Sequence, residues 1–114
     1  MVFKDIIKVT NAKALYDNPL EDLNMEFKMA FTSDLMSDVL CYLRNVDDNV
    51  LLITGLTNLQ VIHAANTLDI KAILITRDKH VEPHVINAAK ENSISLYVTK
   101  DTLFEASGKI YNLR

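Results

Sequence analysis

Three short and almost entirely apolar runs constrain the fold more than any other feature of this sequence. They are Val50–Thr54, Ala72–Thr76 and Ile94–Val98, and β-branched side chains are frequent in them. A strand with one face in water alternates apolar and polar residues, whereas a strand that is covered on both faces is apolar throughout. The three runs therefore predict strands of a parallel sheet that lies between two layers of helices.

Segments with apolar residues at helical spacing separate and follow these strands. The predicted helices run from Leu35 to about Val46, from Thr57 through Leu68, from Pro83 through Ala89 and from about Thr102 to Tyr111. Met25–Phe31 alternates as a further strand ahead of them. This alternation of strand and helix with short connections is typical of right-handed βαβ units. We expect one domain over residues 1–114, of the α/β class, with a three-layer architecture in which helices flank a mostly parallel sheet.

The segment before residue 25 predicts two small additions to this architecture. Phe3, Ile6 and Thr10 fit one face of a short amphipathic helix, and Asn11 suits the left-handed conformation that often ends a helix. Ala14–Tyr16 can add a short strand before the turn that follows it. We therefore expect a helix and a strand ahead of the parallel sheet.

The scarcity of glycine excludes two kinds of phosphate site. The chain has 2 glycines, where a domain of this length would have roughly eight. Gly55 and Gly108 stand alone, so neither a G-x-x-x-x-G-K-[ST] loop nor a G-x-G-x-x-G turn can form. Gly108 is expected inside the last helix, at a place where close packing leaves no room for a side chain.

Charge, hydropathy and cysteine content limit the partners. The chain has 12 basic and 15 acidic residues, whereas a duplex-binding domain normally has a basic excess on one face, so we expect no nucleic-acid partner. No apolar run approaches the roughly 18 residues that span a bilayer, and the N-terminus lacks a signal-peptide core. We expect a cytoplasmic protein with no membrane partner. Cys41 has no second cysteine to pair with and is expected to be buried as a small apolar residue.

No set of residues indicates a metal, a cofactor or a catalytic centre. His80 and His84 are four positions apart, but a proline lies between them and no third ligand is evident. Ser33 is not part of a G-x-S-x-G motif and has no nearby histidine as a base. Asp34 and Asp38 have the spacing of a solvated helix face. We therefore predict that the chain is not an enzyme.

Polar residues follow each predicted strand, at the edge where parallel α/β sheets usually bind ligands. Thr57–Gln60 and Thr102–Glu105 match the capping box S/T-x-x-E/Q, and Ser33 or Asp34 can cap the helix that follows them. Helix N-termini, hydroxyls and cations together suit a small anion. The candidate ligand-binding residues at this edge are Ser33, Thr54, Gly55, Thr57, Asn58 and Arg77.

Four segments resemble the DRTGG domain in their order and spacing. They are Ala30–Leu40, Leu51–Asn58, Ala72–Thr76 and Ile94–Glu105, and the similarity extends over about residues 2–111. The DRTGG domain is an α/β module of the regulatory regions of CBS-type inorganic pyrophosphatases and of some phosphotransacetylases. It is also similar to the N-terminal domain of HPr kinase/phosphorylase, and this resemblance implies the same three-layer fold here.

The resemblance also implies a function. DRTGG domains are regulatory or assembly modules, often dimeric and not catalytic, so we expect a stand-alone module that forms a homodimer, contacts a protein partner and senses a small anionic metabolite or nucleotide. The alternative is a small enzyme that acts on a phosphorylated substrate at the same edge. The chain lacks the string Asp-Arg-Thr-Gly-Gly, and Thr76–Asp78 stands where a Thr-Gly-Gly turn would be expected.

Two segments are candidates for the dimer interface. Residues 25–43 are rich in methionine and aromatic side chains, and the last helix has Phe104 and Tyr111. A small parallel-sheet domain tends to leave one helix face or strand edge uncovered, and pairing of two copies would cover it. We expect the interface at the first strand–helix unit or at the last helix.

Overall fold

The computed structural model describes residues 1–19 and 23–114, and these form five helices and five strands. The helices are α1 (Phe3–Thr10), α2 (Met36–Leu43), α3 (Leu59–Thr67), α4 (Pro83–Glu91) and α5 (Leu103–Tyr111). The strands are β1 (Lys13–Tyr16), β2 (Met29–Thr32), β3 (Val50–Thr54), β4 (Ala72–Ile75) and β5 (Ser95–Val98). Every predicted element is present. Among the described helices, none has the length and apolar character needed to cross a membrane.

The described strands form one sheet in the order β1-β5-β4-β3-β2. β2, β3, β4 and β5 run parallel to their neighbours, and β1 pairs antiparallel with β5. The prediction of an α/β fold with a mostly parallel sheet is confirmed. The strand order leaves β1 and β2 at the two edges of the sheet.

Two apolar clusters cover the two faces of the sheet. α2, α3 and α4 pack on one face, where they bury Val39, Ile62 and Val85. α1 and α5 pack on the other face and bury Ile6 and Ile110. β3, β4 and β5 are buried along their whole lengths. The three apolar runs of the sequence are therefore the centre of a three-layer core, as predicted.

The N-terminal segment closes one side of this core. Asn11 follows α1 with a left-handed φ of 51°, and β1 then joins the sheet, so the predicted cap and short strand are both present. The Phe3 ring packs edge-on against Phe27 and Tyr97, with ring centroids 5.5 and 5.2 Å away. Burial, together with a hydrogen bond to Asp17, raises the pKa of Tyr97 to about 12.

β2 is shorter than the sequence predicts. It begins at Met29 and not at Met25, because the residues before it pair with the start of the chain. The Phe3 N–H donates to the Met25 carbonyl at 2.8 Å, and the Phe27 N–H donates to the Met1 carbonyl at 2.7 Å. These bonds leave only three residues of the predicted strand, Met29–Phe31, for the sheet, and β2 continues one residue further to Thr32.

Two predictions about small residues are wrong. Cys41 is exposed, because α2 buries Met36, Val39 and Leu43, and a residue two positions from Val39 and Leu43 lies on a different helix face. Gly108 is exposed as well, and a Cβ at this position would meet no other atom within 4 Å. Close packing therefore does not explain the glycine in α5.

Candidate functional site

A row of buried threonines lies at the carboxyl edge of the sheet. Thr54, Thr76 and Thr99 stand at the ends of β3, β4 and β5 and are at most 2% exposed. The Thr99 hydroxyl donates to the Thr10 carbonyl at 2.6 Å and accepts a hydrogen bond from the Asp101 N–H at 3.2 Å. It therefore connects the end of β5 to the end of α1.

At the end of β3, a carboxylate from the β2–α2 loop binds the backbone of the next strand. Asp34 Oδ1 accepts hydrogen bonds from the Gly55 N–H at 2.6 Å and from Thr54 Oγ1 at 3.1 Å. Lys79, in the β4–α4 loop, donates from Nζ to the Gly55 carbonyl at 2.5 Å. Both backbone groups of Gly55 are thus held by charged side chains. We call Asp34, Thr54, Gly55 and Lys79 the Gly55 cluster.

The space between these side chains explains the glycine. A Cβ on residue 55 would lie 3.3 Å from both carboxylate oxygens of Asp34 and 3.5 Å from Lys79 Nζ. The first distance is tighter than ordinary van der Waals contact, so a larger side chain would displace the carboxylate. The φ angle of Gly55 is not in the left-handed region, so the requirement is for space and not for an unusual backbone.

The predicted caps of α2 and α3 are wrong. The residues that precede these helices are Leu35 and Asn58, and neither helix receives a side-chain cap. Ser33 Oγ accepts a hydrogen bond from the Leu35 N–H at 3.0 Å, in the turn ahead of α2, while the carboxylate beside it reaches β3 instead. The box at Thr57–Gln60 fails because α3 begins one residue later than the motif requires.

The predicted capping box of α5 is confirmed. Thr102 Oγ1 accepts a hydrogen bond from the Glu105 N–H at 3.2 Å, and Glu105 Oε1 accepts one from the Thr102 N–H at 3.0 Å. The bond from the Thr102 backbone lowers the pKa of the Glu105 carboxyl below its ordinary value. Side chains therefore accept hydrogen bonds from the amides of Thr102 and Glu105 at the start of α5, whereas α3 begins without a side-chain cap.

The turn after β4 has a strained backbone. Arg77 and Asp78 have φ angles of 64° and 49°. This left-handed conformation costs a residue with a Cβ roughly 1–2 kcal/mol. The Arg77 N–H donates to the Asp101 carbonyl and the Asp78 N–H to the Thr99 carbonyl, both at 2.8 Å, and these bonds hold the turn. Thr76 Oγ1, just before the turn, is buried and has no hydrogen-bond partner in the described part of the chain.

The structure brings together three of the six predicted ligand residues. Thr54 and Gly55 belong to the Gly55 cluster, and Ser33 lies beside them because its N–H donates to the Ile53 carbonyl at 3.1 Å. The other three lie in loops or at a helix start, and they are Thr57, Asn58 and Arg77. Thr57 is half-buried, while the other two are exposed at the surface of the edge.

Asp34 and Lys79 are candidate site residues that the sequence did not select. Asp34 was expected on a solvated helix face together with Asp38, but it precedes α2 and binds the end of β3. Its partner Gly55 is 21 positions away, and Lys79 is 24 positions from Gly55. Local motifs cannot report contacts at that separation, so only the sheet topology shows them.

A second polar region of the edge lies beside β5. A cavity of about 290 Å³ has five charged residues among those that line it, and they are Lys13, Asp78, Lys100, Asp101 and Lys109. Lys109 Nζ is 2.9 Å from both carboxylate oxygens of Asp101. Lys13 and Lys100 have no carboxylate within ion-pair distance in the described chain. The β5 cavity is therefore a second place where an anion could bind.

The geometry offers little support for catalysis. Ser33 Oγ donates to the Leu35 carbonyl at 3.3 Å, so both hydrogen bonds of this hydroxyl lie within its own turn. His80 is exposed, with Nε2 3.4 Å from Glu82 Oε1. Within residues 1–19 and 23–114, no group of three histidine, cysteine, aspartate or glutamate side chains could hold a metal ion.

The chain is similar to one domain family and to a solved regulatory region. The family model of the DRTGG domain matches residues 5–113. A crystal structure of the CBS and DRTGG domains of the regulatory region of Clostridium perfringens pyrophosphatase, complexed with its activator diadenosine tetraphosphate, matches with a TM-score of 0.75 at 19% identity. The match covers 96% of this chain and 45% of that one, and it shows a shared fold. No curated protein matches the chain.

Proposed function

The chain belongs to the DRTGG domain family, and from this membership we propose that it is a non-catalytic regulatory and assembly module. In this proposal it forms a homodimer, contacts a protein partner and senses a small anionic metabolite or nucleotide at the carboxyl edge of the sheet. The family supports the regulatory role, and the geometry of the edge supports the position of the ligand.

The uncapped start of α3 is the observation that carries the ligand site. The Asn58 side chain makes no cap bond, and the Val61 N–H donates to the Asn58 carbonyl at 3.2 Å. The amides of Leu59 and Gln60 are therefore the ones that α3 offers to an anion at its positive end. Gly55 lies in the loop that leads into α3, and its carbonyl accepts a hydrogen bond from Lys79 Nζ. Arg77 is exposed on the same edge. An anion at this place would be stabilised by backbone amides and by two cations.

Asp34 opposes the binding of an anion at the same place. Its carboxylate already accepts the Gly55 N–H and lies on the same side of Gly55 as the Lys79 ammonium group. Part of the positive potential is therefore neutralised within the chain. We expect modest affinity that increases with the number of phosphates, because a longer polyphosphate can reach Arg77 as well as α3.

A nucleotide is a suitable ligand class on the basis of the structural neighbour. The regulatory region of C. perfringens pyrophosphatase was crystallised with its activator diadenosine tetraphosphate. That region also contains CBS domains, and the present chain spans 45% of its length. Calorimetry on this chain alone therefore tests nucleotide binding without the CBS domains.

The internal bonding of the hydroxyl groups supports a non-catalytic role. Thr54 and Thr99 donate to acceptors of their own chain, and Ser33 is bonded within its turn. A hydroxyl nucleophile requires a base within hydrogen-bond reach to remove its proton. The described contacts provide none of these hydroxyls with a histidine or lysine base.

Isothermal titration calorimetry with AMP, ATP and diadenosine tetraphosphate tests the ligand site. Arg77→Ala is expected to weaken binding about fivefold, and Asp34→Asn to strengthen it about fivefold, since each change is worth roughly 1 kcal/mol of surface Coulomb energy. Lys100→Ala is the matched control, because it removes a cation from the β5 cavity and leaves α3 unchanged.

The outcomes of this titration separate the parts of the proposal. No heat with any of the three nucleotides at millimolar concentration would remove ligand sensing and leave an assembly module. Binding that Lys100→Ala weakens and Arg77→Ala does not would transfer the ligand to the β5 cavity and contradict the site at α3. A chain that stays monomeric in analytical ultracentrifugation would contradict the homodimer.

A further inference from the structure

β2 forms an open edge of the sheet. It lies at one end of the strand order, beside β3. In a parallel ladder, alternate residues direct their backbone groups to the same neighbour. The Ser33 N–H donates to the Ile53 carbonyl at 3.1 Å on the β3 side, so Met29 and Phe31, which alternate with Ser33, also face β3. The backbone groups of Ala30 and Thr32 therefore point away from β3, and no strand of the described chain pairs with them. These groups are available to a further strand.

An exposed aromatic stripe on α5 runs beside this edge. Phe104, Ser107 and Tyr111 follow one another at helical spacing of three and four residues, so they share one face of α5. Thr32 Oγ1 lies 3.2 Å from Ser107 Oγ, which places this face along β2. The Phe104 side chain is 88% exposed and that of Tyr111 is 65% exposed.

The other face of the sheet also presents apolar side chains next to β2. Tyr42 of α2 is 74% exposed, and its ring lies 5.3 Å from the ring of Phe31. An open strand that has exposed apolar residues on both flanks is typical of an interaction surface.

A cavity of about 390 Å³ opens between β2 and the C-terminal half of α5. The apolar residues that line it include Met29, Ala30, Ile53, Ile110 and Tyr111. Lys28 and Arg114 line the end of the cavity at the start of β2. Phe104 lies one turn before Ser107 in α5, at the opposite end of β2. An exposed aromatic ring and an open apolar cavity therefore lie on the same face of the sheet, at opposite ends of one strand.

We propose that a second copy of this chain pairs its β2 antiparallel to this β2, across a two-fold axis through the middle of the strand. The proposal rests on the homodimer proposed above and names its surface. The rotation exchanges the two ends of β2, so Phe104 of each copy comes over the cavity of the other. A two-fold interface requires this reciprocal fit, in which one surface is complementary to itself.

The spacing of the helices agrees with this pairing. α5 packs over β2 and β3, which places its axis inside the edge of the sheet. With neighbouring strands about 4.8 Å apart, two α5 helices that each lie half a strand spacing inside the edge are roughly 10 Å apart, which is a normal distance for packed helices. The aromatic stripes can therefore pack against each other without a movement of either helix.

The charges along the edge favour the antiparallel arrangement. Lys28 precedes β2 and Asp34 follows it. Antiparallel pairing brings each Lys28 toward Asp34 of the second copy, whereas parallel pairing would bring like charges together. Arg114 lines the same cavity as Lys28 and adds to the positive end of the surface. The charges thus support a second copy as the occupant of this surface.

Sedimentation velocity over a range of concentrations tests the interface. Phe104→Asp is expected to raise the dimer Kd at least about 30-fold, because a buried aromatic anchor contributes much of an interface's energy. Leu40→Asp is the matched control, since Leu40 is an exposed apolar residue of α2 in the groove toward α3. This control is expected to change the dimer Kd less than about threefold.

A second pair of variants tests the reciprocal fit. Ala30→Phe fills the cavity and is expected to weaken the dimer as strongly as Phe104→Asp. Adding Phe104→Ala to Ala30→Phe is expected to recover part of the loss, because the new ring takes the place of the one removed. Circular dichroism and thermal unfolding of the monomeric variants show that they remain folded.

The outcomes separate the proposed interface at β2 and α5 from the proposal that the chain forms a homodimer. A wild-type dimer that both Phe104→Asp and Ala30→Phe leave intact would overturn this interface while the proposed homodimer stands. A wild-type chain that is monomeric up to millimolar concentration would overturn both. A dimer that Leu40→Asp dissociates more strongly than Phe104→Asp would move the interface to the other side of α2.

Discussion

The carboxyl edge and the β2 edge differ in how many of their polar and apolar groups find partners within the same chain. At the carboxyl edge, the Gly55 cluster joins a carboxylate, an ammonium group, a hydroxyl and both backbone groups of one residue. At the β2 edge, backbone groups of Ala30 and Thr32 point outward, and the Phe104 ring is almost fully exposed. The first edge is closed by internal bonds, and the second gains from being covered.

This difference bears on what each edge can bind. A ligand at the carboxyl edge would lie beside charges that are already paired within the chain, so we expect any binding there to be modest and sensitive to single charges. A partner at the β2 edge removes exposed apolar surface from water and breaks no internal bond. Under the two proposals, we therefore expect assembly at the β2 edge and weaker, charge-sensitive ligand binding at the carboxyl edge.

The largest expected effect tests whether the carboxyl edge is closed in this way. Asp34→Ala is expected to destabilise the fold by about 2 kcal/mol, because it leaves the buried Gly55 N–H and the Thr54 hydroxyl without their acceptor. Urea unfolding measures this loss. Asp38→Ala is the matched control and is expected to cost about 0.5 kcal/mol or less, since Asp38 is exposed in the first turn of α2. Equal losses in the two variants would show that the hydrogen bonds of Asp34 in the Gly55 cluster do not stabilise the fold.

Much of the fold could be predicted from the sequence because its determinants are local. The apolar run Val50–Thr54 and its two counterparts are buried on both faces, and residues at helical spacing give the helices that cover them. Pro83 begins α4 and Asn11 ends α1, as their backbone preferences predict. These features depend on neighbours within a few residues, so the pattern alone reports them.

The site was less predictable because its contacts are distant in sequence. Asp34 was expected to cap a helix, yet the sheet brings the Gly55 amide to it from the next strand. Cys41 was expected in the core, although its position between Val39 and Leu43 places it outside the buried stripe of α2. Strand order also brings the two candidate dimer segments beside one strand, which neither segment indicates alone. Topology, and not composition, determines these contacts.

A smaller effect tests the strain at the carboxyl edge. Arg77→Gly is expected to stabilise the fold by about 1 kcal/mol, because glycine adopts the left-handed φ of this turn without steric cost. Asn11→Gly is the matched control, since Asn11 has a similar φ and asparagine tolerates it better than arginine does. Urea unfolding of both variants gives the comparison. A gain no larger than that of Asn11→Gly would show that the turn is not strained, and nucleotide affinity should fall in Arg77→Gly whatever its stability.

The smallest expected effect is on the stability of the monomer when a side chain is removed from the β2 edge. In a monomer, Phe104→Ala is expected to change the free energy of unfolding by about 0.5 kcal/mol or less, because a ring that is almost fully exposed loses little contact within its own chain. Urea unfolding at protein concentrations below the dimer Kd measures the stability of the monomer alone. The same measurement above the dimer Kd also includes the stability that dimerisation contributes. We expect wild type to gain stability with concentration and Phe104→Ala to gain much less. A loss in the monomer as large as that of Asp34→Ala would mean that Phe104 stabilises its own chain, and the two edges would then differ less than the structure indicates.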